Sequence, residues 1–240
     1  MSLYVGVDIG RSVDSTAIVV DEVYRPTDIT QPKLWLPLRH RLRWIQRVPL
    51  HTTYQEIVEQ IAVVAEAAAT WGPAMVALDA TGVGRPVVDM LRARCSVPLR
   101  AITLTGGSKV VVEGYEMSAP KRDVVVALEC IVTGHHFESV PDCPMQQDMI
   151  TELTGFDYSL AAGHIGFEAR RGGHDDLVLA WAFAAWLGQR YEGGASAAYH
   201  HATQTRLSRT PLEQRWAEEA ARERLRGYQQ AARSRPHMGG

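Results

Sequence analysis

A chain of 240 residues, 46% hydrophobic and 22% charged, can bury one sizeable core and still carry an appendage. Its formal net charge of −2 gives no bulk basic surface, so any contact with nucleic acid must be local. Three unevenly spaced cysteines, Cys95, Cys130 and Cys143, argue against a disulfide framework and a zinc site and for buried or inert thiols in a reducing compartment. With no apolar run of the ~18 residues a membrane span needs and no basic leader before the first strand, a cytoplasmic, non-membrane protein is expected.

Residues 3–9 and 15–20 are apolar, β-branched runs on either side of a polar turn and read as a hairpin. Asp8 falls near the end of the first strand, where a carboxylate is costly unless solvated or paired, whereas Asp14 reads as a turn residue. Over 33–49 the pattern Leu34, Leu36, Leu38, Leu42, Trp44, Ile45 suggests one long or bent strand. Its alternate face carries Arg39, Arg41 and Arg43, either a phosphate-facing ladder or the wet outer face common in antiparallel sheets. Residues 53–70 follow as an amphipathic helix with Ile57, Ile61, Val64 and Ala68 at helical spacing, capped by Thr52 or Thr53 and stopped by Gly72-Pro73.

Residues 74–78 are a buried strand ending at Asp79, and Thr81-Gly82-Val83-Gly84 turns the chain into a helix over 86–94. As a dinucleotide fingerprint this lacks the third glycine and the following acidic strand end. Its firmer content is Asp79 at the carboxyl end of a central strand, where open α/β sheets place their ligands. Another strand is expected over 97–105, then a flexible Gly106-Gly107-Ser108 turn. No Gly-x-x-x-x-Gly-Lys-Ser/Thr loop occurs, which excludes a motor of that type from these residues.

Ser118-Ala119-Pro120-Lys121-Arg122-Asp123 is expected to open a helix running to about 133, with proline near its first turn. His135 and His136 read as surface residues, since no third ligand appears at metal spacing. A short helix at 146–153 and a hairpin at 156–160 and 165–169 lead to Gly172-Gly173. There the chain enters a long apolar helix reaching past Trp186, with Asp175 and Asp176 at its mouth and His174 as an ordinary turn histidine. Acids there suit the positive end of the helix dipole and serve either as N-caps or as ligands of a cation. After a Gly/Ala/Ser linker at 193–198 the tail carries eight Arg against four Glu from 193 onward, and is expected to be a mobile, mildly basic appendage.

If the first and fourth strands are neighbours in a mixed sheet, Asp8 and Asp79 converge and the late helix brings Asp175 and Asp176 across from them. Carboxylates within ~4–6 Å repel one another, and a divalent cation reconciles them. Oxygen-only ligands select Mg²⁺ or Mn²⁺ over zinc, and a pair of such ions supports in-line attack on a phosphodiester.

In this order, Val7-Asp8-Ile9-Gly10 with Asp14-Ser15-Thr16, Ala77-Leu78-Asp79-Ala80-Thr81-Gly82-Val83-Gly84, Pro120-Lys121-Arg122-Asp123, Glu152-Leu153 with Phe156, and Gly173-His174-Asp175-Asp176-Leu177-Val178-Leu179-Ala180 resemble the RNase H-like nuclease domain of the large terminase subunit of tailed bacteriophages. The resemblance covers about 3–186. It implies an α/β fold with a mixed five-stranded sheet flanked by helices, an extra β-hairpin beside the active site, a nuclease domain over 1–190, and a linker and Ala/Arg-rich tail over 191–240. It also implies two Mg²⁺ or Mn²⁺ ions on Asp8, Asp79 and one or both of Asp175 and Asp176, as catalytic metal ligands. Asp176 is favoured because it shares a helix face with Ala180 and Ala184. Lys121, Arg122, Lys109, Arg170 and Arg171 are the candidate DNA contacts.

The implied activity is endonucleolytic cutting of concatemeric double-stranded DNA during genome packaging in the host cytoplasm. The implied partners are a packaging ATPase, the small terminase subunit and the portal. A complete large subunit also carries an N-terminal ATPase, whereas this chain begins at the nuclease. The alternatives are a Holliday-junction resolvase of the same fold and a non-catalytic DNA- or portal-docking module. A sugar-kinase or actin-like ATPase, suggested by the run from Val5 to Gly10, needs a second lobe that this chain is too short to contain.

Overall fold

The computed structural model describes residues 1–10, 14–27, 36–82, 84–161, 164–169 and 174–193. Three antiparallel strands open the chain: β1 (Ser2–Asp8), β2 (Thr16–Tyr24) and β3 (Arg39–Val48). Helix α1 (Tyr54–Ala68) crosses over to β4 (Ala74–Asp79), and α2 (Gly84–Arg94) to β5 (Leu99–Thr105). There follow a hairpin of β6 (Val111–Glu113) and β7 (Glu116–Pro120), then α3 (Lys121–Thr133), β8 (Phe137–Ser139) and α4 (Gln146–Gly155). Strands β9 (Phe156–Ala161) and β10 (His164–Ala169) pair only with each other, and α5 (Asp176–Glu192) ends the described fold.

The main sheet has the order β6-β7-β5-β4-β1-β2-β3-β8. The five expected strands are its continuous centre, extended by β7 and β6 at one edge and β8 at the other. Parallel pairing of β1 with β4, Val5 opposite Val76 and Val7 opposite Leu78, makes the first and fourth strands neighbours and brings Asp8 beside Asp79. Several boundaries differ from the sequence expectation. The strand expected over 33–49 is β3, beginning at Arg39, and positions 33–35 lie outside the described residues. Ser118, Ala119 and Pro120 belong to β7 rather than to a helix, because Met117 and Ala119 are buried against the core and the segment pairs with β5. The helix starts only at Lys121.

Both faces of the sheet are covered. One packs on α1 and α2 through Leu3, Val5, Val7, Ile18, Val20, Ile61 and Leu91. The other packs on α3 and α5 through Tyr4, Val19, Ile45, Ala77, Ile102, Trp181 and Phe183. Full burial of side chains this large contributes roughly 1.5–3 kcal/mol each. Helix α5 lies against β1 and β2, and its approach requires glycine: a Cβ on Gly6 would stand 1.8 Å from the Ala180 carbonyl oxygen. Ala180 and Ala184 keep the helix face flat at the same contact. Helix α1 starts with a capping box between Thr53 and Glu56, which satisfies donors that the first turn leaves open. No described helix is long and apolar enough to cross a membrane.

Of the three cysteines, Cys95 and Cys143 are buried, and burial pushes the Cys143 thiol up to about 12, whereas Cys130 is exposed. The arginines of β3 are tied to carboxylates. Arg41 pairs with Glu22 and Glu138, and Arg43 with Glu22, so this face is a charge-paired layer rather than a free phosphate ladder. Arg39 donates to the His135 carbonyl.

Candidate metal centre

Asp8 is the last residue of β1 and Asp79 the last of β4, so neighbouring parallel strands at the centre of the sheet deliver two carboxylates to their shared carboxyl ends. The side-chain alternation of a strand points both toward α5, as it does Gly6 and Ala77 on the same strands. The Gly10 amide donates to Thr16 Oγ1, and Gly10 passes so close to Asp14 that a Cβ on it would stand 1.9 Å from the Asp14 carbonyl oxygen. Asp79 accepts from the Thr81 amide at 2.8 Å, and Thr81 Oγ1 in turn accepts from the Leu104 amide, which binds the strand end to β5. Asp176, the first residue of α5, is only 5% exposed, while Asp175 before it is half-buried.

The acids act on one another. Burial pushes the Asp8 carboxyl well above the ordinary carboxylate range, and Asp79, Asp176, Asp175 and Asp14 push it further in that order. Asp176 is raised too, first by burial, against the opposing effects of Arg47 and His174. Asp14, read from the sequence only as a turn residue, is exposed but adds to the negative field on both. His174 is exposed, with Nδ1 3.9 Å from Asp176 Oδ2.

Two residues of this site were not singled out as site residues by sequence reasoning. Glu152 of α4 is buried and accepts from the Leu177 amide at 2.9 Å and the Val178 amide at 3.3 Å, the first turn of α5. Its other oxygen binds Arg47 of β3, whose Nε faces Asp176 Oδ2 at 3.6 Å. Asp175 occupies the N-cap position of α5, but its side chain makes no capping hydrogen bond. The cap expected of the acidic pair is supplied by Glu152.

Among the described residues no three His, Cys, Asp or Glu side chains stand at metal-ligating spacing. The residues nevertheless fit a hard divalent cation: the donors are all carboxylate oxygens, and Asp176 Oδ2 is buried with no hydrogen-bond partner. Next to Asp79 an open groove of about 1040 Å³ is lined by Thr81, Gly106, Ser108, Lys121, Arg122 and Leu179. Of the expected DNA contacts, Lys121 and Arg122, at the start of α3, line this groove with Asp79. Lys109 is exposed at the end of the adjoining loop and does not line the groove. Arg170 and Arg171 lie outside the described residues, as does the expected tail beyond Gly193.

The fold is similar to that of solved terminase nuclease domains. A human cytomegalovirus terminase nuclease domain, soaked with Mn and inhibitor-bound, superposes with a TM-score of 0.51 at 10% identity, covering 82% of this chain and 85% of that one. A second structure of a human cytomegalovirus terminase nuclease domain gives a TM-score of 0.50 at 10% identity, covering 82% and 86%. No protein-family model and no curated protein matches the sequence.

Proposed function

We propose that this chain is a divalent-metal-dependent endonuclease of the tailed-bacteriophage terminase type, cutting concatemeric double-stranded DNA during genome packaging. The observation that supports the reading is the convergence of Asp8 and Asp79 at the ends of adjacent central strands, with Asp175 and Asp176 at the head of α5 close enough to act on Asp8, beside a groove that Asp79 shares with Lys121 and Arg122. Asp8, Asp79 and Asp176, with Asp175 next to them, would hold two Mg²⁺ or Mn²⁺ ions. Such ions would supply Lewis acidity for activating a water and stabilising the leaving oxygen of an in-line displacement.

The chain's own residues supply placement. Asp79 ends a central strand and is braced by the amide of Thr81 in the turn that follows, and Asp176 is held at the head of a buried helix. Lys121 and Arg122 offer positive charge to a phosphate backbone, and such contacts weaken as salt rises because counterions are released on binding. A packaging ATPase, the small terminase subunit and the portal are the partners this function requires.

Supercoiled plasmid incubated with the protein and Mg²⁺, Mn²⁺ or EDTA tests the reading. Metal-dependent nicking or linearisation is expected, and Asp79→Ala should lower it by more than about 10²-fold, as loss of a group stabilising the transition state does. Absence of cleavage with either metal at low salt would overturn it in favour of a docking module, and a strong preference for four-way junctions over duplex would favour a resolvase.

A further inference from the structure

The first turn of α5 exposes amides that some acceptor must satisfy. Local capping by the preceding residue is the common solution, yet here a carboxylate 25 residues upstream, Glu152, binds both Leu177 and Val178 while Asp175 makes no capping bond. That division leaves Asp175 and Asp176 outside the capping arrangement. Glu152 also engages the guanidinium of Arg47 through Nη2.

The same guanidinium turns its Nε toward Asp176. At 3.6 Å the contact is too long for a hydrogen bond. Both Arg47 Nε and Asp176 Oδ2 are buried without a hydrogen-bond partner. Arg47 is thus anchored by Glu152 and steers Asp176 by charge alone, so the Asp176 oxygen keeps its lone pairs unused.

We propose that Arg47 and Glu152 form a positioning clamp for Asp176: Glu152 holds the helix start and Arg47 orients the carboxylate toward Asp8 and Asp79 without consuming it. Neither is a catalytic residue. The inference rests on the metal reading above and adds the residues that make the third acid fit for a cation.

The test compares Mn²⁺ binding by calorimetry on the full chain, wild type against Glu152→Ala, Arg47→Met, Arg47→Lys and Asp176→Asn, with amide hydrogen exchange at Leu177 and Val178 measured without metal. Glu152→Ala should weaken Mn²⁺ binding by about 10–100-fold, the usual cost of losing a group behind a ligand, and speed exchange of both amides. Arg47→Met should also weaken binding, with Arg47→Lys in between, although deleting a cation beside acids would by charge alone tighten it. Tightening in Arg47→Met overturns the clamp. So does unchanged Mn²⁺ affinity in Glu152→Ala and Arg47→Met when Asp176→Asn loses it, which would leave both residues merely structural. Should Glu152→Ala fail to fold, the ordering of Arg47→Met and Arg47→Lys decides the matter. Equal Mn²⁺ binding by wild type and Asp176→Asn would instead overturn the metal reading, and the clamp with it.

Discussion

Two buried acidic sites lie under α5 on the same strands, and they have been solved in opposite ways. At one, Asp21 is fully buried opposite Tyr4 of β1, and its Oδ2 lies 2.7 Å from His40 Nδ1 and accepts from Trp181 Nε1 at 3.2 Å. At the other, Asp8 stands opposite Ala17 in a field of four more carboxylates, one of which, Asp176, has Arg47 Nε 3.6 Å away. The first arrangement gives one oxygen of a lone acid two partners, while Asp21 Oδ1 and His40 Nε2 stay buried without one, and among the described residues no second carboxylate crowds it. The second leaves like charges concentrated, which stability alone would select against, and it is where the proposed metal reading places its cations.

The contrast can be broken most severely at its structural end. Asp21→Ala should cost about 3–5 kcal/mol, since breaking a buried polar pair strands the remaining partners, and should leave cleavage per folded molecule unchanged. Thermal melts combined with activity below the transition check both halves, and a variant as stable as wild type would show that His40 and Trp181 find other partners.

A smaller and mixed effect is expected between the two ends. Gly6→Ala forces α5 away from β1, because the added methyl would overlap the Ala180 carbonyl. Overpacking of this kind costs about 1–3 kcal/mol, and displacement of Asp176 from Asp8 should lower cleavage as well, unlike Asp21→Ala. Urea unfolding and nicking rates measured together distinguish the two variants.

The smallest effect is a pH dependence confined to the acidic end. Asp8 is raised in the folded state, so the folded protein binds its proton more tightly than the unfolded chain does. Below the ordinary carboxylate range, near about 4, the carboxyl is protonated in both states and costs nothing. As pH rises from there through the raised folded value, stability falls, by about 1.4 kcal/mol per unit of upward shift. In metal-free buffer the melting temperature of Asp8→Asn should therefore pull ahead of wild type as pH rises through that window, and Mg²⁺ should narrow the gap. A constant difference at all pH values would contradict the crowding of charge at Asp8.

Much of this architecture was readable locally. The alternation of β1 and β2, the continuous apolar run of β4 and the capping box of α1 each need only a few neighbouring residues to be recognised, and they placed Asp8 and Asp79 at strand ends. The helical repeat likewise put Asp176 on the face shared by Ala180 and Ala184, the face that meets β1. The edge strands β6, β7 and β8 escaped notice because each is at most five residues long and owes its conformation to the strand it pairs with.

Arg47 shows most clearly what sequence order conceals. With Arg39, Arg41 and Arg43 on the outer face, simple alternation assigns Arg47 there too. Between Val20 and Asp21 the pairing register shifts, however: Val20 faces Trp44 and Asp21 faces Leu42, so Arg43 is an extra residue in β3. One inserted residue reverses every later side chain, and Arg47 turns inward, opposite Ala17 and in line with Asp8. Glu152 is the parallel case, a cap supplied by another helix. The sequence by itself determined which acids stand at the ends of which elements, because strand and helix periods are local properties of the chain. Which basic and acidic partners reach them was decided only by tertiary structure, because strand register and capping across 25 residues depend on contacts that no local period encodes.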